Sequence, residues 1–283
     1  MIFSEWAGNT TMRAKTPIVA AGLPRTDPVD VVNPAGRGGF VLVCEHAGNF
    51  IPPELHDLGL GPGLTTSHIA WDPGALPVAR EMSRILDVPL VAQRMSRLMY
   101  DCNRPPEAES AIPEISEIHP VPGNVGLSPA ARQARVDAIY VPFCATLAAC
   151  IEGRTAAGEA PVIVTVHSFT PVYKGVRREL DIGILHDTDT RVADAMLRLA
   201  EADDDVVVRR NEPYGPEDGV THTLRMQALP RGLANVMIEV RNDLIRDGTS
   251  QQAMAARLSR WLLAAQVELA AGSGEPRQSP RVG

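Results

Sequence analysis

The chain has 283 residues, of which 45% are hydrophobic and 22% charged, enough apolar material for a sizeable core in one large domain or two small ones. Lys and Arg number 27 against 34 Asp and Glu, a formal net charge of -7, which excludes a broad electrostatic attraction to nucleic acid or anionic lipid and leaves any anionic ligand to local cations. Four cysteines without C-x-x-C spacing, and a start without a basic and apolar leader pattern, lead us to expect a cytoplasmic protein with reduced thiols.

Residues 1–37 mix Thr, Pro, Gly and isolated charges and read as a loosely ordered N-terminal segment. From 38 to 271, short β-branched runs alternate with Ala/Leu/Arg stretches, the pattern of a single α/β domain whose mixed, mostly parallel central sheet is flanked by helices. The expected strands are 40–44, 89–92, 161–166, 181–185, 206–209 and 236–240. The expected helices are 74–86, 129–154, 189–202 and 250–269, the second opening on Ser128-Pro129, a capping residue followed by Pro at the first helical position. Long loops near 45–70, 101–127, 168–180 and 210–223 are the places where function is expected. Residues 272–283 read as a flexible tail, and the apolar stretches 159–166 and 261–270 fall short of a membrane span.

Rare polar residues gather at strand ends. The run Val41-Leu42-Val43-Cys44 leads into Glu45-His46, and Val162-Ile163-Val164-Thr165-Val166 leads into His167-Ser168. Ligands of open α/β sheets bind outside the carboxyl ends of the strands, so both imidazoles are expected in one crevice, sharing a metal ion. The competing reading is that each histidine caps a turn. Val236-Met237-Ile238 carries Glu239, a carboxylate that needs a reason on an apolar strand: it is either a general base beside an activated water or the ion-pair partner of Arg241 or another arginine. Zinc is the ion that two histidines and one carboxylate with an open position favour. For the third ligand Asp72 is preferred over Glu45, whose neighbour His46 points to the opposite face of a regular strand, with His68 behind them. Asp72 also reads as a helix cap ahead of Pro73. Arg97, Asn103 and Arg104 offer donors suited to a carboxylate; Arg178 is either a second anion contact or part of a solvated loop, and Tyr214 either closes over a ligand or is an ordinary turn aromatic.

Taken in order, Cys44-Glu45-His46-Ala47-Gly48-Asn49, His68-Ile69-Ala70-Trp71-Asp72, Ser96-Arg97 with Asp101-Cys102-Asn103-Arg104-Pro105, His167-Ser168-Phe169-Thr170-Pro171, Asn211-Glu212-Pro213-Tyr214 and Ile238-Glu239-Val240-Arg241-Asn242-Asp243-Leu244 resemble the N-formylglutamate amidohydrolase family. That family is similar to zinc carboxypeptidases and aspartoacylases, so the resemblance implies a phosphorylase/hydrolase-like fold. It also implies one zinc ion held by His46, His167 and a carboxylate, Glu239 as general base, and Asn103-Arg104 on the substrate carboxylate. Where relatives of the wider group carry Glu three residues after the first histidine, this chain has Asn49, a second argument for Asp72. The implied reaction is hydrolysis of N-formyl-L-glutamate to formate and glutamate, with Arg104 and Arg178 on its two carboxylates, Arg97 on the oxyanion and Tyr214 closing over the substrate. Rival readings are hydrolysis of another N-acyl amino acid or small peptide on the same site, and a non-catalytic binder of an acidic metabolite. A small-molecule substrate, no nucleic acid or membrane partner, and a monomer or small homo-oligomer complete the expectation.

Overall fold

Apolar residues on both faces of the strands force a layer of cover on each side, and this decides the architecture. In a computed structural model, which describes residues 27–272, the strands in chain order are β1 (Val29–Val32), β2 (Phe40–Cys44), β3 (Leu90–Gln93), β4 (Ile115–Ser116), β5 (His119–Pro120), β6 (Val162–Phe169), β7 (Val172–Tyr173), β8 (Val176–Arg177), β9 (Ile182–Leu185), β10 (Val208–Arg210) and β11 (Asn235–Arg241). Seven of them form one sheet in the order β1-β3-β2-β6-β11-β9-β10. The central run β3-β2-β6-β11 is parallel, β1 is antiparallel to β3, and β9 with β10 runs antiparallel to β11. β4–β5 and β7–β8 are separate two-stranded hairpins.

The helices are α1 (Ala75–Leu86), α2 (Pro129–Arg135), α3 (Val141–Ala156), α4 (Arg191–Ala200) and α5 (Gly248–Gly272). Val78, Ala79 and Met82 of α1, Val192 and Met196 of α4, and Leu258, Trp261 and Leu262 of α5 pack on the sheet face formed by Leu42, Val164, Val166, Ile184, Val236 and Ile238. The opposite face, with Val41, Val43, Ile163 and Met237, receives Phe143, Leu147 and Ile151 of α3 together with long loops. Loops in place of a complete helical layer leave this second face open toward the carboxyl ends of β2, β6 and β11.

All six expected strands form, within one to three residues at their ends. β6 continues three residues past the expected end, so His167 lies inside the strand, paired to β11. β1 is not among the expected strands: it occupies part of the segment read as loose, where Asp30 and the flanking Pro28 and Asn33 break the apolar run, and its pairing to β3 supplies the missing order. The rest of that segment up to residue 26, and the tail beyond 272, lie outside the described residues. The expected single helix 129–154 is two helices joined by a π-helical turn at Val136–Tyr140; Pro142 has no N–H to give to an i→i−4 bond, and the wider turn accommodates it. This helical stretch, Pro129–Ala156, has the length and hydropathy to cross a membrane, a property absent from the expectations above; here Phe143, Leu147 and Ile151 spend its apolar side on the core.

Candidate active site

Side chains alternate across a strand, so residues in register on adjacent strands share a face. Glu239 is the register partner of His167, and Val43 pairs with Thr165, which carries the same row two residues further to Glu45 beside His167. The backbone turns immediately after Cys44. That turn frees His46 from strand alternation, so Glu45 and His46 both reach the site, contrary to the strict alternation expected of a regular strand. Asp72 arrives from the loop ahead of α1, its N–H donating to the His46 carbonyl at 3.0 Å.

Three donor atoms face one another. His46 Nδ1 lies 3.3 Å from Asp72 Oδ2, His167 Nδ1 lies 2.9 Å from the same oxygen, and the two Nδ1 atoms are 3.2 Å apart. Donors held about 2.0–2.1 Å from a tetrahedral zinc ion stand roughly 3.3 Å from each other, so this triangle fits such an ion. His46, Asp72 and His167 also form a candidate metal-holding group by donor type and proximity. Charge points the same way. Glu45, Asp72, Asp101 and Glu239 are all buried here, and among the described residues Arg97 alone of the arginines bridges into the cluster, at 3.4 Å from Asp72 and 2.7 Å from Asp101. Buried charge has to be balanced; with four acids and one fixed cation, the set calls for a divalent ion or for protons on the imidazoles.

The titration shifts follow from this imbalance. Burial and Arg97 pull the His46 pKa down, but Asp101 and Asp72 outweigh them and leave it raised. Burial opposes the charged form of His167 as well, and Glu45 with Asp72 pushes it well above the usual imidazole value. Burial would raise Asp72, yet the two histidines hold it low. Glu239 behaves otherwise: burial, with repulsion from Asp72, outweighs His167 and pushes its carboxyl up to about 7. Its Oε2 has no hydrogen-bond partner among the described residues. The ion pair with Arg241 does not form, because that guanidinium is taken by Asp181 at 2.9 Å and Asp243 at 2.7 Å.

Asp72 is not a helix cap. Gly74 occupies that position, and no side chain caps α1. His68 turns away to Glu117, 2.8 Å from its Nε2, and Asn49 donates to the Thr65 carbonyl at 2.9 Å, so neither joins the donor triangle. Asn103 lines the pocket, but its amide already donates to the Val220 carbonyl and accepts from Thr223 N–H at 3.0 Å. Arg104 donates to the carbonyls of Asn103 and Gly219, each at 2.9 Å. Arg178 donates to the Tyr214 hydroxyl at 2.9 Å, with its guanidinium 4.6 and 4.8 Å from the ring centres of Tyr173 and Tyr214. All nine expected site residues line one cavity of about 480 Å³.

Sequence reasoning missed Asp101 as the partner of His46 Nε2, at 2.7 Å. Its place four residues after Arg97, which it pairs with, was the available signal. It also missed Glu117, which reaches the cavity from the β4–β5 turn and accepts from Lys174 N–H of the β7–β8 turn at 2.8 Å; two-residue strands give no periodic signal.

The family model for N-formylglutamate amidohydrolase matches residues 38–246. The chain belongs to the N-formylglutamate amidohydrolase family. No curated protein matches it. Among solved structures, a gene product of Agrobacterium tumefaciens is 54% identical, with a TM-score of 0.85 over 87% of this chain and 97% of that one. N-formylglutamate amidohydrolase from Ralstonia eutropha is 18% identical, with a TM-score of 0.63 over 87% of this chain and all of that one; at that identity the likeness concerns the fold. As a member of this family the chain is a hydrolase of the amidohydrolase type, and a possible His-Asp-His metal site stands at its centre.

Proposed function

We propose that this chain is a zinc-dependent amidohydrolase acting on the N-acyl amide of an acidic amino acid, with N-formyl-L-glutamate as the best-fitting substrate. One observation carries the choice of an acidic substrate. Of the three arginines lining the cavity, Arg97 is spent on Asp72 and Asp101, whereas Arg104 and Arg178 donate only to carbonyl and hydroxyl oxygens, and no carboxylate pairs with either among the described residues. Two arginines without acid partners in one pocket match a ligand with two carboxylates.

His46 and His167, each through Nδ1, and Asp72 through Oδ2 are the residues that would hold the zinc. Bound there, the ion would supply Lewis acidity, lowering the pKa of a water molecule and polarising the amide carbonyl. Glu239 faces the same space with an unpartnered oxygen and takes a proton from the attacking water. The water oxygen bonds to the acyl carbon, Glu239 delivers the proton to the leaving nitrogen, and the C–N bond breaks to give formate and glutamate. Arg97 borders this space and is our candidate for stabilising the oxyanion. Tyr214, held by Arg178, forms part of the wall over the substrate. Asn103 acts by fixing the 220–223 backbone beside Arg104.

The cavity of about 480 Å³ also favours a second reading, a larger acyl group or a short peptide on the same machinery. The cytoplasmic setting belongs to this proposal and rests on the four free cysteines. The test is a screen of N-formyl, N-acetyl and peptide substrates against zinc-loaded protein. Formate release from N-formylglutamate with about one zinc per chain supports the proposal. Binding of glutamate without turnover, by a protein that takes up no zinc, would favour a metabolite binder instead.

A further inference from the structure

We infer that Glu45 is a positioning residue for His167: its carboxylate accepts the Nε2–H of that imidazole and thereby commits Nδ1 to the metal. The inference rests on the metal reading above and adds to it a residue that neither ligates nor contacts substrate.

Glu45 is only 1% exposed, and its Oε2 lies 3.0 Å from His167 Nε2. The opposite nitrogen of the same ring, Nδ1, faces Asp72 and His46. The two imidazole lone-pair directions diverge, so a carboxylate against Nε2 stands away from the donor triangle, which removes Glu45 as a ligand. A neutral imidazole carries one proton. If Nδ1 is to give its lone pair to a cation, the proton sits on Nε2. Nε2 and both Glu45 oxygens are buried and meet no partner of full hydrogen-bond geometry among the described residues, so Glu45 Oε2 at 3.0 Å is the acceptor within reach of the Nε2 proton; a buried N–H left without an acceptor costs about 1–3 kcal/mol. Glu45 removes that cost and selects the Nε2–H tautomer.

The same arrangement recurs at His46, where Asp101 Oδ1 lies 2.7 Å from Nε2 and Arg97 braces Asp101. The two histidines therefore have separate carboxylates at Nε2, and loss of Glu45 removes that of His167 while Asp101 stays on His46. The placement follows from the fold. Glu45, the first residue of the turn after β2, continues the row of Val43 to the β2 side of His167, and Glu239 stands on the β11 side, so a carboxylate at position 45 meets the ring edge.

The experiment compares wild type, Glu45→Ala and Glu45→Gln for zinc affinity by chelator competition, with 15N-histidine NMR of the zinc-loaded proteins. In the wild type the His167 signal is expected to report a protonated Nε2 and a metal-bound Nδ1. Glu45→Ala should bind zinc 10- to 100-fold more weakly and shift or broaden the His167 signal, leaving that of His46 in place. Glu45→Gln, whose amide oxygen still accepts the proton, should keep the tautomer and recover part of the affinity. Wild-type zinc affinity with an unmoved His167 signal in Glu45→Ala would overturn the inference. Should that variant not fold, Glu45→Leu, which fills the space but accepts no proton, takes its place, and wild-type affinity with an unmoved His167 signal there overturns the inference. A wild-type protein that takes up no zinc at all would instead sink the metal reading.

Discussion

Glu239 and His167 stand directly opposite one another in the parallel ladder between β11 and β6, which brings a buried, partly unpartnered carboxylate next to an imidazole of the donor triangle without help from any loop. Ladder pairing fixes the spacing of the two side chains, which in the proposed mechanism are base and ligand. Replacing Glu239 by Gln preserves shape and removes the proton acceptor. Turnover of N-formylglutamate should fall by roughly 10²- to 10⁴-fold, while zinc content and the melting temperature stay near wild type. Formate release measured beside metal analysis decides this, and undiminished turnover would remove Glu239 as the base.

The pH profile follows from the same residue. Burial raises the Glu239 carboxyl to about 7, and only the deprotonated form accepts a proton. The value of kcat/KM should therefore fall about tenfold per pH unit on the acid side. A divalent ion close by favours the carboxylate, so the limb should lie at or below about pH 7 in the zinc-loaded enzyme. A profile flat from pH 7 down to 4 would contradict the assignment.

Metal uptake is coupled to protons for a related reason. His46 and His167 both have raised pKa values in the metal-free site, so protons occupy the imidazoles up to higher pH than usual and must leave when a cation binds. Zinc affinity should weaken steadily as pH drops, with net proton release. Calorimetry in buffers of different ionisation enthalpy reads that number directly. Binding with no proton release at pH 6.5 would show that the histidines are not the ligands.

The arginine over the aromatic rings gives a specificity test. Arg178 combines a forked donor with stacking on Tyr173 and Tyr214, and a lysine reproduces neither property. Loss of a charge-assisted hydrogen bond is worth about 1.5–3 kcal/mol, so Arg178→Lys should lower kcat/KM for N-formylglutamate by roughly 10- to 150-fold, mainly through KM. An N-formyl amino acid with an apolar side chain should be affected much less. Equal losses on both substrates would place Arg178 outside the specificity pocket.

Much of this site can be read in the sequence because buried parallel strands are short apolar runs, and the polar residues that interrupt them, His167 and Glu239, stand out. The register that makes those two neighbours cannot be read there; it depends on β6 and β11 being adjacent although more than sixty residues separate them. Asp72 is legible only as one of three options, because its choice between capping α1 and facing the histidines is made by tertiary contacts. The carboxylate partners Glu45 and Asp101 escape assignment for the same reason. Glu45 reads as a strand residue, and the turn after Cys44 that lets both it and His46 reach the site has no glycine or proline to announce it.

The loop that delivers Asp72 depends on Gly74. Its φ of +82° lies in the left-handed region, and a Cβ there would sit 2.5 Å from the Ile245 carbonyl oxygen. Ala at this position incurs a backbone cost of about 1–2 kcal/mol, and it also forces apart the loop and the chain following β11. Gly158 separates the two effects, because it has the same φ of +82° and a Cβ there would meet nothing within 4 Å. Gly158→Ala should lower the melting temperature by only a few degrees and leave zinc affinity unchanged. Gly74→Ala should lower it further, at about 2–4 °C per kcal/mol for a domain of this size, and should weaken zinc binding because Asp72 moves with the loop. Thermal melts and chelator competition on both variants test this pair, and equal behaviour would mean that the Asp72 loop takes its position from something other than the close approach at Gly74.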